Sequence, residues 1–166
     1  MEFLKALGNL VTNEILLVPA FAWLVAQLLK TLINGLVHKE WSAERLWGDG
    51  GMPSGHSATV TSLALMCGFL EGFGSVYFAI TFILAIIVMH DALGVRRETG
   101  KQAVSIIKMV EIINEYVVEK DEEIKTDKLK VLVGHTPLQV VCGALVGTIV
   151  VLIYVLGIKN LFGLFV

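Results

Sequence analysis

The stretch LQVVCGALVGTIVVLIYVLGI, residues 138–158, decides the fold class because it carries no charged side chain over its whole length. At about 1.5 Å per helical residue, it is long enough to cross a hydrocarbon core of about 30 Å. A second apolar segment, residues 15–33, has a similar length and is interrupted only by a proline, a glutamine, a lysine and a threonine. We therefore predict that both segments are transmembrane helices.

The composition of the whole chain is that of a membrane protein. Hydrophobic residues make up 55% and charged residues 17% of the 166 residues, with a mean hydropathy of +0.76, whereas soluble domains average about 25% charged residues. The net charge of −2 gives no basis for nucleic-acid binding. We expect one membrane-embedded domain over residues 1–166, in the bacterial plasma membrane, with Cys67 and Cys142 as buried thiols.

Two shorter apolar segments lie in the middle of the chain. Residues 58–70 and 76–89 each fall below the roughly 17 residues of a typical span, so flanking residues would have to lengthen them. The sequence EGFGS between them, residues 71–75, is typical of a tight helical turn. The pair predicts a helical hairpin, either two full crossings or re-entrant, that starts and ends on the same side. The predicted fold class is therefore all-α, a polytopic bundle of about four transmembrane helices.

A further helix is predicted from residue 100 to residue 120, where apolar and charged side chains recur at helical spacing. One face carries Ala103, Ile106, Ile107, Val110, Ile113 and Val117, and the other carries Lys101, Lys108, Glu111, Glu115 and Glu119. This pattern is typical of an amphipathic helix that lies on the membrane or packs on the bundle. Residues 121–134 are predicted to form a charged connector.

An even number of crossings between the polar loops places these loops on one side of the membrane. The loops 34–57 and 90–137 together hold ten cationic residues, whereas the opposite side has only Lys5 and Lys159. The positive-inside rule therefore predicts that the polar loops face the cytoplasm. The ten residues are Lys39, Arg45, Arg96, Arg97, Lys101, Lys108, Lys120, Lys125, Lys128 and Lys130.

The motif GGMPSGHSA, residues 50–58, stands at the start of the first hairpin helix. Proline fits the first turn of a helix because its missing N–H needs no partner there, and Ser54 can cap the helix or contact an anion. Gly55 lets a ligand approach the backbone, and helix N-termini bind phosphate through their N–H groups and the helix dipole. His56 would then stand beside the anion. The alternative is a plain helix start with a histidine at the membrane interface.

The motif GHTPLQVVCG, residues 134–143, has the same ingredients ahead of the last span. Because both motifs lie on one side, His135 can attack a phosphorus atom while His56 protonates the leaving group. The alternative is two unrelated interface histidines. Gly143 and Gly147 form a small-xxx-small pattern that most simply predicts close helix packing.

A third polar segment, HDALGVRRETGKQ at residues 90–102, supplies cations and a carboxylate. Arg96 and Arg97 can hold phosphate oxygens through bidentate hydrogen bonds, and Asp91 can orient a histidine or bind a metal. The alternative is a charged helix end whose arginines reach lipid headgroups. Lys30 near the end of the first span has the same two uses, headgroup contact or phosphate binding.

The four histidines, His38, His56, His90 and His135, also raise the question of a zinc site. They fall in separate segments, and the chain has neither HxxxH nor CxxC spacing, which disfavours zinc. We therefore expect no metal and no cofactor.

Taken together, the three motifs resemble the divergent branch of the type-2 phosphatidic acid phosphatase (PAP2) family, which is related to acid phosphatases and vanadium-dependent haloperoxidases. The resemblance runs from about Gln27 to Gly147 and covers most of the chain. It implies that residues 53–56 supply the leaving-group acid, through His56, and that His135 is the nucleophile.

The sequence departs from the superfamily pattern at three positions. Gln139 occupies the position of the carboxylate that orients the nucleophile, and Leu129 occupies the position of an arginine. The first superfamily motif has no match, and Lys30 and Arg45 are the candidates to stand in for it. Asp91 is a candidate to replace the carboxylate, and one of the two arginines of the third segment is a candidate to replace the missing arginine.

The resemblance implies a membrane-embedded phosphatase that hydrolyses a lipid phosphate or diphosphate monoester through a phosphohistidine intermediate. The expected partners are membrane lipid and a phosphorylated lipid substrate, and homo-oligomerisation stays open. One alternative is a non-catalytic protein that binds a phosphate headgroup. Another is a lipid transporter or structural subunit.

Overall fold

The structure, a computed structural model, describes residues 1–39, 51–116 and 135–159. The described part of the chain is helical and contains no strand. Its helices are α1 (Glu2–Val11), α2 (Glu14–His38), α3 (Gly55–Glu71), α4 (Val76–Leu93), α5 (Val95–Tyr116) and α6 (Pro137–Leu152), and α6 continues into a π-helical segment, Ile153–Lys159. The predicted connector over residues 121–134 lies outside the described residues.

Three stretches of helix are long and apolar enough to cross a membrane. They are Glu14–Val37 in α2, Val76–Tyr116 through α4 and α5, and Pro137–Gly157 in α6 and the π-helical segment. The predictions of a first and a last transmembrane helix are confirmed. This protein is therefore an integral membrane protein with an all-α fold.

Helix α3 occupies the centre of the bundle, where it packs against α2, α4 and α6. It has 17 residues, about 26 Å of helix, which is at the lower limit for a crossing. Its buried positions are mostly small, and Ser57 and Ser62 are completely enclosed. The Ser62 hydroxyl donates to the backbone carbonyl of Ala58 at 2.7 Å, so this buried polar group is satisfied within the helix. Small side chains let the three neighbouring helices approach α3 closely.

The closest approach joins α6 to α3 through two glycines. A Cβ added at Gly143 would lie 2.9 Å from the Cβ of Ser57 and would collide with the backbone of Ser54. A Cβ at Gly147 would collide with the backbone of Ala58 in the same way. The predicted packing role of this glycine pair is confirmed, and it brings the first turns of the two helices together.

Helices α3 and α4 form the predicted hairpin. The turn between them contains Gly72 at a φ of +92°, a backbone conformation that favours glycine, and Ser75 caps α4 by accepting from the N–H of Phe78 at 3.1 Å. The ring of Phe73 covers Gly68 on α3 and stacks edge-on with Phe78, with ring centroids 5.1 Å apart. Both helices extend beyond the apolar segments predicted from sequence, to 17 and 18 residues.

Helix α5 follows α4 directly after a bend at Gly94 and begins earlier than the predicted residue 100. Its charged side chains from Glu98 to Glu115 are exposed, whereas Ala103 is buried and Ile107 and Val110 are half-buried. Ile106 and Ile113 on the predicted apolar face are exposed. The amphipathic helix is therefore confirmed up to Tyr116, with only part of its apolar face packed on the protein.

Helix α1 was not predicted from the sequence. It is amphipathic, and its leucines at positions 4, 7 and 10 are exposed. Its ten residues are too short for a span, so the search for long apolar segments missed it. Asn13 then caps α2 by accepting from the N–H of Leu16 at 3.3 Å.

Candidate functional site

Two backbone hydrogen bonds tie together the three polar segments at one end of the bundle. The N–H of Ser54, ahead of α3, donates to the carbonyl of Gln139 in α6 at 3.0 Å. The N–H of His135, ahead of α6, donates to the carbonyl of Ala92 at the end of α4 at 3.1 Å. Segments that are far apart in sequence therefore meet in one place, as the crossing count predicts.

Two of the four histidines come together at this meeting point. The ring centroids of His56 and His135 lie 6.4 Å apart, with the ring planes tilted by 60°. His135 is only 3% exposed, whereas His56 is half-buried and His90 is exposed. Reacting atoms in a near-attack arrangement lie about 3–3.5 Å apart. The two rings are therefore close enough for one small bound group to contact both.

Gln139 holds the His135 ring in one orientation. Its side-chain oxygen Oε1 lies 3.1 Å from His135 Nδ1 and also accepts from the backbone N–H of Thr136 at 3.1 Å. The Thr136 hydroxyl in turn accepts from the N–H of Gln139, which completes a capping box at the start of α6. Because the backbone N–H requires an acceptor, the atom facing Nδ1 must be the oxygen. Nδ1 therefore carries a proton, and in the neutral imidazole this places the lone pair on Nε2.

Ser54 acts as the cap of α3. It is completely buried, and its Oγ accepts from the backbone N–H of Ser57 at 3.3 Å and lies 3.0 Å from the hydroxyl of Ser57. The first helix residue is Gly55, and the opening amides of a helix have no carbonyl partner within the helix. The Ser54 hydroxyl therefore caps the helix, and anion contact by this hydroxyl and by the first-turn backbone stays a prediction.

Helix α2 contributes three polar side chains to the same place, spaced at helical intervals. Lys30 is 4% exposed, and its Cγ lies 3.3 Å from the position that a Cβ would take on Gly51. The indole of Trp23 lies 3.2 Å, and the amide carbon of Gln27 3.9 Å, from the equivalent position on Gly55. Gly51 has a φ of +100°, so only glycine fits here without strain. Trp23 and Gln27 were not predicted as candidate site residues, although their i, i+4, i+7 spacing with Lys30 was a usable signal.

The remaining predicted residues lie at the end of α4 and the start of α5. Asp91 is half-buried and precedes Ala92, whose carbonyl binds the backbone of His135. Arg96 and Arg97 belong to the first turn of α5, and their side chains lie outside the described part of the structure. The structure therefore places the helix turn of Asp91 next to the nucleophile candidate and leaves the role of the arginines as a prediction.

No group of three or more His, Cys, Asp or Glu residues that could hold a metal ion occurs among residues 1–39, 51–116 and 135–159. Cys67 is buried in α3 and Cys142 is half-buried in α6, and both are free thiols, as predicted.

Comparison with known proteins identifies the family. The sequence matches the model of the Divergent PAP2 family over residues 11–150. It is 41% identical over 151 residues to the uncharacterized membrane protein YuiD of Bacillus subtilis (strain 168), a match that covers 87% of this chain and 96% of the relative. No solved structure matches. Since both matches extend over most of the chain and include all three polar segments, the protein belongs to the divergent PAP2 family.

Proposed function

We propose that this protein is a membrane-embedded phosphatase that hydrolyses a lipid phosphate or diphosphate monoester through a phosphohistidine intermediate. The observation that carries the proposal is the pairing of a buried, oriented imidazole, His135, with a second imidazole, His56, at 6.4 Å. The hydrogen bond from His135 Nδ1 to Gln139 leaves Nε2 as the nucleophilic atom.

The proposed reaction has two steps. In the first, Nε2 of His135 attacks phosphorus, the bond from phosphorus to the ester oxygen breaks, and protonated His56 gives its proton to that oxygen. In the second, a water molecule attacks the phosphohistidine, neutral His56 takes a proton from the water, and the phosphorus–nitrogen bond breaks. Inorganic phosphate leaves, and both histidines return to their starting protonation states.

Positive charge around the phosphoryl group supports this reaction. Phosphoryl transfer depends mainly on positioning and on stabilising the charge of the equatorial oxygens. Lys30 is buried beside Gly51, four residues ahead of α3. The N-terminus of α3 adds free backbone N–H groups and the positive end of the helix dipole. We assign the same role to Arg96 and Arg97 at the start of α5. The reaction as proposed uses side chains and amides of this chain and needs no cofactor.

The position of the site favours a lipid substrate. It lies where α4 ends and where α3 and α6 begin, with Lys30 of α2 beside it, and α2, α4 and α6 each belong to a stretch long enough to cross a membrane. The headgroups of lipids lie at this level, so their phosphates are present at high local concentration. The distribution of lysines and arginines further favours a site that faces the cytoplasm.

A second candidate function rests on one observation, the neutral side chain at position 139. A glutamine orients the imidazole but supplies no charge to stabilise it once it becomes cationic. The same pocket would then bind a phosphate headgroup without cleaving it.

Phosphate release from the purified protein distinguishes the two functions. Short-chain phosphatidate and a prenyl diphosphate serve as substrates, and the exposed His90 offers a matched control for the buried His135. We expect turnover by the wild type and by His90→Ala, and a loss of at least 10³-fold in His135→Ala, in line with loss of a nucleophile. Binding of both lipids without turnover would support the headgroup-binding protein, and turnover that survives His135→Ala would refute the phosphohistidine.

A further inference from the structure

Gln27 in the middle of α2 is a buried polar side chain whose oxygen is not used by the fold. The residue is 6% exposed, and no donor among the described residues lies within hydrogen-bonding distance of its Oε1. The nearby hydroxyl of Thr31 donates to the backbone carbonyl of Gln27 and not to its side chain. A buried acceptor without a donor is unfavourable and is uncommon in folded proteins. A hydrogen-bond donor brought by a ligand would satisfy this oxygen.

The side chain lies against the phosphate site. Its amide carbon is 3.9 Å from the position of a Cβ on Gly55, the first residue of α3, and the indole of Trp23 packs on the same glycine. Lys30, which we assign to phosphate, is one turn further along the same face of α2. The absence of a side chain at Gly55 lets the amide of Gln27 lie close to the backbone at the start of α3.

The chemistry of the missing donor narrows the class of ligand. The oxygens of a fully ionised phosphate monoester only accept hydrogen bonds, so they cannot satisfy another acceptor. A simple prenyl chain also offers no donor. A hydroxyl on the alcohol part of the substrate, close to the ester oxygen, does offer one.

We propose that Gln27 is a specificity-determining residue that accepts a hydrogen bond from a hydroxyl next to the phosphate ester. The substrate class is therefore a phosphomonoester of a polyol, of which a glycerol phosphate with a free neighbouring hydroxyl is the simplest case. This inference rests on the proposed site and narrows its substrate. It selects hydroxyl-bearing lipids over phosphatidate and prenyl phosphates. A site built to accept from a substrate hydroxyl discriminates strongly against the analogue that lacks it.

The test compares two ligands that differ by one hydroxyl. They are a 1-acyl-glycerol 3-phosphate of medium chain length and the 1-acyl-propanediol 3-phosphate, which lacks the hydroxyl at the middle carbon. We expect the wild type to favour the first by about tenfold or more in kcat/KM. In Gln27→Met, which keeps the length of the side chain and removes the acceptor, the ratio should fall close to one. Thr31→Val on the same helix is the matched control and should keep the ratio of the wild type.

The outcomes separate this inference from the proposed phosphatase. A wild-type ratio near one, or a Gln27→Met variant that keeps the wild-type preference, refutes the hydroxyl contact. If kcat/KM in Gln27→Met falls equally for both ligands, Gln27 contacts the phosphate in general, and the hydroxyl contact is also refuted. If the wild type releases no phosphate from either ligand, the phosphatase is refuted. Equilibrium binding of the two ligands, followed by tryptophan fluorescence, then tests Gln27 through the ratio of their two affinities.

Discussion

Replacing Gln139 by glutamate tests how the nucleophile is oriented. The structure shows one oxygen of this side chain bound both to Nδ1 of His135 and to the backbone N–H of Thr136, each at 3.1 Å. A glutamate has the same length and keeps both contacts, and Glu is a preferred residue at this position of a capping box. Gln139→Glu therefore changes the charge on the His135 contact while leaving the local structure in place.

The expected increase in kcat follows from the single hydrogen bond between His135 Nδ1 and the side chain at position 139. His135 becomes cationic when phosphorus bonds to Nε2, and the charge of the introduced carboxylate stabilises this cation. A hydrogen bond to a charged group contributes about 1.5–3 kcal/mol, against about 0.5–1.5 kcal/mol for a neutral pair. A difference of about 1–1.5 kcal/mol corresponds to a rate increase of about tenfold. The upper limit is about 10⁴, the loss seen when the orienting acid of a related triad is neutralised.

The assay is steady-state phosphate release from purified protein in detergent, with thermal unfolding measured on the same samples. Gln139→Glu should be about tenfold faster in kcat than the wild type and at least as stable, because an acidic residue near a helix N-terminus is favourable. Gln139→Leu is the matched control, since it removes both the capping contact and the orientation of His135, and it should lose activity and about 1 kcal/mol of stability.

A folded Gln139→Glu variant with unchanged or lower kcat would refute the reasoning. The contact between residue 139 and the His135 imidazole would then not support catalysis. Asp91 in the last turn of α4 would be the next residue to test. Full activity in a folded Gln139→Leu variant would contradict the orientation argument as a whole.

Three further predictions concern the packing of α6 on α3, the binding of phosphate and the side of the membrane that the polar loops face. Gly143→Ala should destabilise the protein by about 1–3 kcal/mol because the added Cβ would collide with α3. Gly157→Ala is the control and should be neutral, because its Cβ would meet nothing within 4 Å. Equal melting temperatures of the two variants in detergent would contradict the close packing of α6 on α3. Lys30→Met should lower the affinity for inorganic phosphate or vanadate by about tenfold or more, and the exposed Lys5→Met should not, so equal affinities would remove Lys30 from the site. In a background without the two native cysteines, Arg45→Cys should resist a membrane-impermeant thiol reagent in intact cells and react after the cells are opened; labelling from outside would overturn the cytoplasmic assignment.

The long apolar helices and the meeting of the polar segments could be predicted from the sequence for simple reasons. Apolar length alone identifies α2 and α6, because the bilayer sets a minimum span. The number of crossings between the motifs then places their ends on one side without any knowledge of helix packing. His56 and His135 were paired on this argument, and the structure brings their rings together.

The remaining features depend on packing that hydropathy does not show. Helix α3 is shorter and more polar than its neighbours, so only its central position explains how it is accommodated. Trp23 and Gln27 were missed because they lie within an apolar run and carry no charge, and only contact with Gly55 identifies them. The use of the Ser54 hydroxyl as a cap likewise depended on geometry, since a serine before a helix fits both a cap and an anion contact.

The central position of α3 also bears on how the protein is made in the cell. Helix α6 is synthesised after α3 and α4, so α3 enters the membrane before one of its three packing partners exists. Until α6 arrives, the face of α3 that receives Gly143 and Gly147 has no protein partner. Entry of α3 together with the apolar α4 as one hairpin gives it a packing partner in the meantime. His56 then meets His135 only when α6 docks, so the two histidines come together at the last step of biogenesis.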